Sequence, residues 1–411
     1  MKRRCLSFFL LLTAVSLVLL PLPVRAAPEI SITSTSVQMY FPQALVFSIE
    51  AESKAEITDI RLSYQVHQLS TYPVVSEAWP RFTPAPKVKT QWVWDTRKAE
   101  LPPGARISYW WSVVNEAAEK KETAPKTVTF DDPRYPWQSL SASGATLLWY
   151  QGSDAFAQTL LDTVVDVQRR LTQDVSAYSR ETKVYIYGSG ADLRGAMVFP
   201  REWTGGRAEP QHGIVMLGVP PEQLDWGKRA LAHEFTHLVV HQLTFGPYAA
   251  SLPTWLDEGL AVFHEGAPDA YYEPVVKKAA GDGSLISLRS LSSPLSAKTG
   301  LAILSYAQSY NVVDFLMRNY GAGKISRLLA VLRDGSTIDE ALLQAYGFNQ
   351  TDLDSSWQES LSVKPPAPAP AGRFQLPQLP LDTTAIVVLI ILGTLVALTA
   401  ALLIERRTWK R

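Results

Sequence analysis

Three stretches between residues 60 and 113 alternate apolar and polar positions with a period of two. Ile60, Leu62, Tyr64 and Val66 alternate with Arg61, Ser63, Gln65 and His67, and Val88, Thr90, Trp92 and Trp94 repeat the pattern. Ile107, Tyr109, Trp111 and Val113 do so after a Pro102-Pro103-Gly104 turn. This period turns one side of each stretch toward a core and predicts strands. With Pro/Gly turns between them, they predict an all-β sandwich over residues 28–132.

From about Trp137 the pattern changes. Short apolar runs at 146–150, 182–187 and 214–217 predict further strands. Phe156, Leu160, Leu161, Val164, Val167 and Leu171 form a helical stripe behind Ser153, a predicted N-cap. Beyond residue 222 the helical period dominates. Ile325, Leu328, Leu329 and Leu332 recur at helical spacing, and Thr337 and Glu340 have the spacing of a capping box. An α+β unit over 136–362 is therefore expected to follow the β sandwich.

The two ends carry a different pattern. Lys2, Arg3 and Arg4 precede an apolar run from Leu6 to Leu20, and Val24-Arg25-Ala26 suits a cleavage site, so residues 1–26 predict a signal peptide. Ala385 to Ile404 is uncharged and long enough to cross a bilayer, and the tail 405–411 holds four cations against one anion. A single transmembrane helix over 384–404 is expected, with a cytoplasmic tail and the rest extracytoplasmic at the cell membrane. The Pro-rich stretch 363–383 predicts a stiff linker before it.

Composition narrows the chemistry. Of 411 residues, 39 are basic and 39 acidic, which gives no basic surplus for a nucleic-acid partner. The one cysteine, Cys5, falls in the predicted signal peptide, so neither disulfides nor a thiolate metal site is expected in the mature chain. Four of the six histidines lie between positions 233 and 264.

Two of them stand in His233-Glu234-Phe235-Thr236-His237, an H-E-x-x-H pattern with apolar flanks. On a helix, positions i and i+4 share a face, so both imidazoles can reach one metal ion with Glu234 beside it. A catalytic zinc typically takes a third protein ligand. Val240 and Leu243 stand where the H-E-x-x-H-x-x-G-x-x-H arrangement requires Gly and His, which excludes that class. Glu258, in Trp255-Leu256-Asp257-Glu258-Gly259-Leu260-Ala261, comes 21 residues after His237. That leaves chain for one helix to end near Gly246 and a second to return antiparallel.

H-E-F-T-H followed by D-E-G-L-A resembles the gluzincin class of zinc metallopeptidases, and the peptidase MA-like group in particular. The resemblance covers roughly residues 140–360 and implies a zincin-like fold for the α+β unit. It implies one zinc ion per chain on His233, His237 and Glu258, with Glu234 as general base and a peptide or protein as substrate. It further implies a tyrosine as oxyanion stabiliser some 40–60 residues beyond the ligand glutamate. Tyr306 is the candidate, although Gln308 and Ser309 replace the Lys and Gly of the family's pattern; Tyr310, one turn further, is the alternative. Gly206-Arg207-Ala208-Glu209-Pro210 shares only the Gly and Glu of the aminopeptidase G-x-M-E-N motif, so endopeptidase and aminopeptidase activity both stay open. Asp257 is expected to orient a histidine or to begin a helix, His241 to sit at the rim, and His264 and Glu265 to lie on the surface. The alternative from another class is a catalytically silent zinc-binding ectodomain acting as a sensor or binding protein at the cell surface.

Overall fold

The structure is a computed structural model that describes residues 30–69, 72–177, 180–198, 205–246, 252–266, 269–293 and 299–361. The expected signal peptide, Pro-rich linker, membrane helix and basic tail lie outside the described residues. Among the described residues no helix is long and apolar enough to cross a membrane.

The N-terminal region is built around β2 (Ala44–Val66), a strand of 23 residues that follows β1 (Ser31–Tyr40). The first half of β2 pairs antiparallel with β1 and with β4 (Ala85–Asp95). Its second half pairs with β3 (Ser76–Ala78) and β5 (Ala105–Asn115), and β5 in turn pairs with β6 (Lys120–Glu122) and β7 (Lys126–Phe130). The seven strands thus form one hydrogen-bonded sheet instead of the two separate layers a sandwich implies. The register of β2 shifts between Glu52 and Ile57 and again between Ile57 and Asp59. An irregularity of this kind changes which parity faces inward. Leu45, Phe47, Ile49 and Ala51 are buried before it, Ile60 and Leu62 after it. The sheet folds over its own core, so the Phe47 and Tyr109 rings meet edge-on with centroids 5.0 Å apart although their strands are not paired there.

A second sheet has the order β11-β12-β10-β9-β8, with β8 (Gln138–Ala142), β9 (Ala145–Trp149), β10 (Thr182–Tyr187), β11 (Gly206–Glu209) and β12 (Ile214–Gly218). β9 and β12 run parallel to β10, while β8 and β11 are antiparallel edges. Between β9 and β10 runs α1 (Asp154–Val175), capped by the Ser153 hydroxyl, which accepts the Phe156 N–H. After β10 comes the short α2 (Gly190–Arg194).

β10 and β12 are buried almost throughout because both faces of this sheet are covered. On one face Leu147, Val184, Ile186, Val215 and Leu217 join the helical core. On the other, Tyr185 and Tyr187 meet the segment that joins the two sheets. The Tyr185 hydroxyl donates to Asp131 Oδ1 at 3.0 Å and the Tyr187 hydroxyl to Asp132 Oδ2 at 3.1 Å. Asp132 is also bound by the Arg134 guanidinium at 2.6 Å. These contacts tie the N-terminal sheet to the back of the second one.

Helices complete the chain: α3 (Leu224–Leu243), α4 (Thr254–Glu265), α5 (Asp269–Gly281), α6 (Leu288–Leu291), α7 (Thr299–Tyr320), α8 (Ala322–Arg333), α9 (Ile338–Tyr346) and α10 (Gln350–Ser360). The Thr337–Glu340 capping box forms at the start of α9. Gly259 on α4 lets α7 approach closely: a Cβ there would lie 2.4 Å from the Ser309 carbonyl oxygen and 2.6 Å from Val313 Cγ2.

Candidate metal centre

α3 is buried on all sides from Leu231 to Val240, which carries the H-E-x-x-H residues into the interior. His233 and His237, one turn apart, place their ring centroids 4.7 Å apart and their Nε2 atoms 3.0 Å apart. α4 returns antiparallel along α3 and brings Glu258 Oε2 to 3.4 Å from His233 Nε2 and 3.6 Å from His237 Nε2. Tetrahedral zinc with bonds of about 2.0–2.1 Å separates its ligand atoms by roughly 3.3 Å, close to the three distances found.

The remaining bonds fit the same purpose. His233 Nδ1 donates to Glu265 Oε1 at 2.7 Å, and His237 Nδ1 donates to Asp257 Oδ1 at 2.9 Å. With each Nδ1–H fixed outward on a carboxylate, the neutral imidazole turns its Nε2 lone pair inward. Glu258 Oε2 is buried without a hydrogen-bond partner, an expense the fold carries where a cation completes the set. The donor set is thus two imidazoles and a carboxylate, which suits zinc.

Electrostatics agree. Burial alone would lower the pKa of His233, but the neighbouring carboxylates of Glu258 and Glu265 outweigh it and raise it to about 9. Burial likewise works against His237, and the charges of Asp257 and Glu258 carry it well above the ordinary histidine value. Burial works to raise Glu258, yet the two histidines bring it below its usual value. The surrounding carboxylates thus favour positive charge at the two imidazoles, as a bound cation would supply.

Glu234 is buried beside this cluster, and burial raises its pKa against the pull of His237 and His233. It lies against the edge strand β11. A Cβ at Gly206 would come within 3.0 Å of Glu234 Cγ, and the Ala208 N–H bonds to its carboxylate. A cavity of about 20 Å³, the size of roughly one water molecule, opens between Gly206, Trp226 and Ala230 and reaches Glu234, His233 and Glu265.

The structure brings His233, Glu234, His237 and Glu258 together. Tyr306, on α7, is buried with its ring centroid 6.3 Å from that of His233. Tyr310 is turned toward Phe263 and Tyr272 instead. His241, at the rim, donates to the second oxygen of Asp257 at 3.0 Å. Glu209 pairs with Arg207, and by the pleat of β11 both lie on the opposite face from Gly206. Two expectations are corrected. Glu265 is not a surface residue: it sits two helical turns from Glu258 on the same face of α4, which is how it reaches His233. His264 is fully buried, its ring held between the Leu260 carbonyl and Asp174. The seven-residue spacing of Glu258 and Glu265 was the available signal, whereas nothing in Gly206 or Ala208 marks them as neighbours of Glu234.

Residues 163–363, just under half of the chain, match the family model of the Peptidase MA superfamily, which supports a zincin-like peptidase. No curated protein matches the sequence. Among solved structures, OgpA from Akkermansia muciniphila is similar at 11% identity and a TM-score of 0.21, over 26% of this chain and 30% of that one. An M1 zinc metallopeptidase from Deinococcus radiodurans, bound to a Tyr-Ser-Ala substrate, is similar at 11% identity over 83% of this chain and 96% of that one, with a TM-score of 0.35. Likenesses this distant carry no functional argument.

Proposed function

We propose that the chain is a membrane-anchored, extracytoplasmic zinc metallopeptidase, with one zinc ion held by His233, His237 and Glu258. One observation carries the reading: three ligand atoms lie within 4.8 Å of one another around a partnerless buried carboxylate oxygen, next to Glu234. When bound there, zinc supplies Lewis acidity to the scissile carbonyl and acidity to a water molecule.

The chain's own residues do the rest. Glu234, its pKa lifted by burial, takes a proton from water and returns it to the leaving amine. Ala208 and Gly206 set the position of its carboxylate against β11. Asp257 and Glu265 hold the two imidazoles in their ligating orientation. Tyr306 is assigned as donor to the oxyanion that develops on the carbonyl. Among the described residues no strand pairs with the outer edge of β11, which suits it to receive an extended substrate backbone. Glu209, held by Arg207 on the far face, supplies no anchor for a substrate's free amine, so internal bonds are accommodated as well as terminal ones. The anchoring rests on the sequence of 1–26, 384–404 and the basic tail.

The test is the Glu234→Gln protein beside the unsubstituted one. Both should hold about one zinc per chain, and turnover of an unstructured protein should fall by at least about a hundredfold in the variant. Equal turnover in the two would overturn the mechanism.

A further inference from the structure

The N-terminal region reaches the outer strand of the second sheet and the turn that follows it, with Glu100 lying 3.6 Å from Arg207 on β11. The Leu69 N–H donates to the Gln211 carbonyl at 2.6 Å, in the turn that joins β11 to β12. Just beyond this contact, the N-terminal region opens a groove of about 210 Å³ lined by Tyr64, Gln65, Gln68, Tyr72, Pro73 and Val74 among others, none of them charged. Tyr64, at the floor of the groove, is backed on its core side by Trp94 and Trp92, at centroid distances of 4.8 and 5.2 Å. Tyr72 is 71% exposed and Val74 70% exposed, an unusual display for large apolar side chains in one short segment.

We infer that this groove is an exosite for the polypeptide substrate, taking up an uncharged, apolar stretch several residues from the cleaved bond. The inference rests on the peptidase reading and adds a task for the N-terminal region. The occupant follows from continuity. A substrate lying along β11 passes Glu234 at the level of Gly206 and Ala208 and proceeds toward Glu209. At about 3.3 Å per residue, the four residues of β11 are covered by roughly four substrate residues, after which the chain reaches the Gln211 turn, to which Leu69, next to the groove residue Gln68, is bonded. The groove lacks charge to select an ionic ligand, whereas its aromatic and aliphatic walls match apolar side chains of an extended segment.

The test uses the full chain and three peptides sharing one cleavable core: a short one of about four residues, and two versions extended at one end or the other by about eight uncharged, apolar residues. Tyr72→Ser and Val74→Ser, at exposed positions, form the variant. Extension at one end only should lower KM by at least about tenfold in the unsubstituted protein, the size expected of one buried apolar side chain. The variant should lose that gain, with kcat and the short peptide's kinetics unchanged. Equal kinetics for short and extended peptides, or an equal loss on both in the variant, would overturn the exosite. Fluorescence anisotropy of the labelled peptides on the Glu234→Gln protein reads binding without turnover. Tighter binding of the extended peptide, abolished by the Tyr72 and Val74 substitutions, upholds the groove even if no peptide is hydrolysed. Binding of a soluble oligosaccharide in place of the extended peptide would overturn it in favour of a glycan site.

Discussion

The N-terminal sheet and the α3–α4 pair treat charge in opposite ways. In the N-terminal sheet, Lys87–Glu52 and Lys89–Glu50 pair across strands with side chains 43–79% exposed. In α3 and α4, His233, His237 and Glu258 are at most 10% exposed and pack within contact of one another. A water-facing ion pair contributes little, because solvent screens it and holding two long side chains together costs entropy. Groups withdrawn from water cost several kcal/mol apiece unless each lone pair and proton is matched. The first arrangement can accompany any sheet. The second leaves one Glu258 oxygen without a hydrogen-bond partner, a cost that the proposed metal ion would offset.

The sharpest way to break the comparison is to remove the carboxylate at its centre. Glu258→Ala should lower metal content after dialysis from about one per chain to near zero, since two ligands rarely retain catalytic zinc. Full occupancy would show that the third ligand was misassigned. A substitution one residue away tests the frame instead of the ligands. Gly259→Ala sets a methyl group against the Ser309 carbonyl, which belongs to a helix backbone and cannot swing aside. Thermal or denaturant unfolding should report a loss of about 1–3 kcal/mol, the usual cost of overpacking. An unchanged midpoint would mean that α4 and α7 separate more easily than the core between them suggests.

What could be read from the sequence divides along the same line. Period-two alternation located Ile107, Tyr109, Trp111 and Val113, because β5 faces one core throughout. It could not find the fold of β2, where the register shifts after Glu52 exchange the inward parity. At the site, the H-E-x-x-H helix was legible because ligands one turn apart are a local property. Glu258 required resemblance as well as spacing, since its approach depends on a loop and a second helix. Glu265 was misplaced on the surface, although its spacing from Glu258 puts both on one face of α4. Contacts made between distant segments, such as Gly206 against Glu234 or Leu69 against Gln211, leave no mark on either segment alone.

Smaller effects sharpen the contrast. Asp257→Asn and Glu265→Gln leave the three ligands in place and change only what holds the imidazoles. Each should weaken zinc affinity by about 10–100-fold, measured by chelator competition. Asp257 carries more of this load because it accepts from both His237 and His241, so its variant should fall toward the weaker-binding end. If both variants bind zinc as tightly as the unsubstituted chain, the ring orientation is set by packing alone. At the far end of the scale stands Lys89→Ala on β4. Its partner Glu50 is still reached by water, so no buried charge is stranded and the unfolding free energy should move by no more than about 0.5 kcal/mol. A loss there as large as that of Gly259→Ala would dissolve the distinction between the two regions, because exposure would then no longer decide what a charge pair is worth.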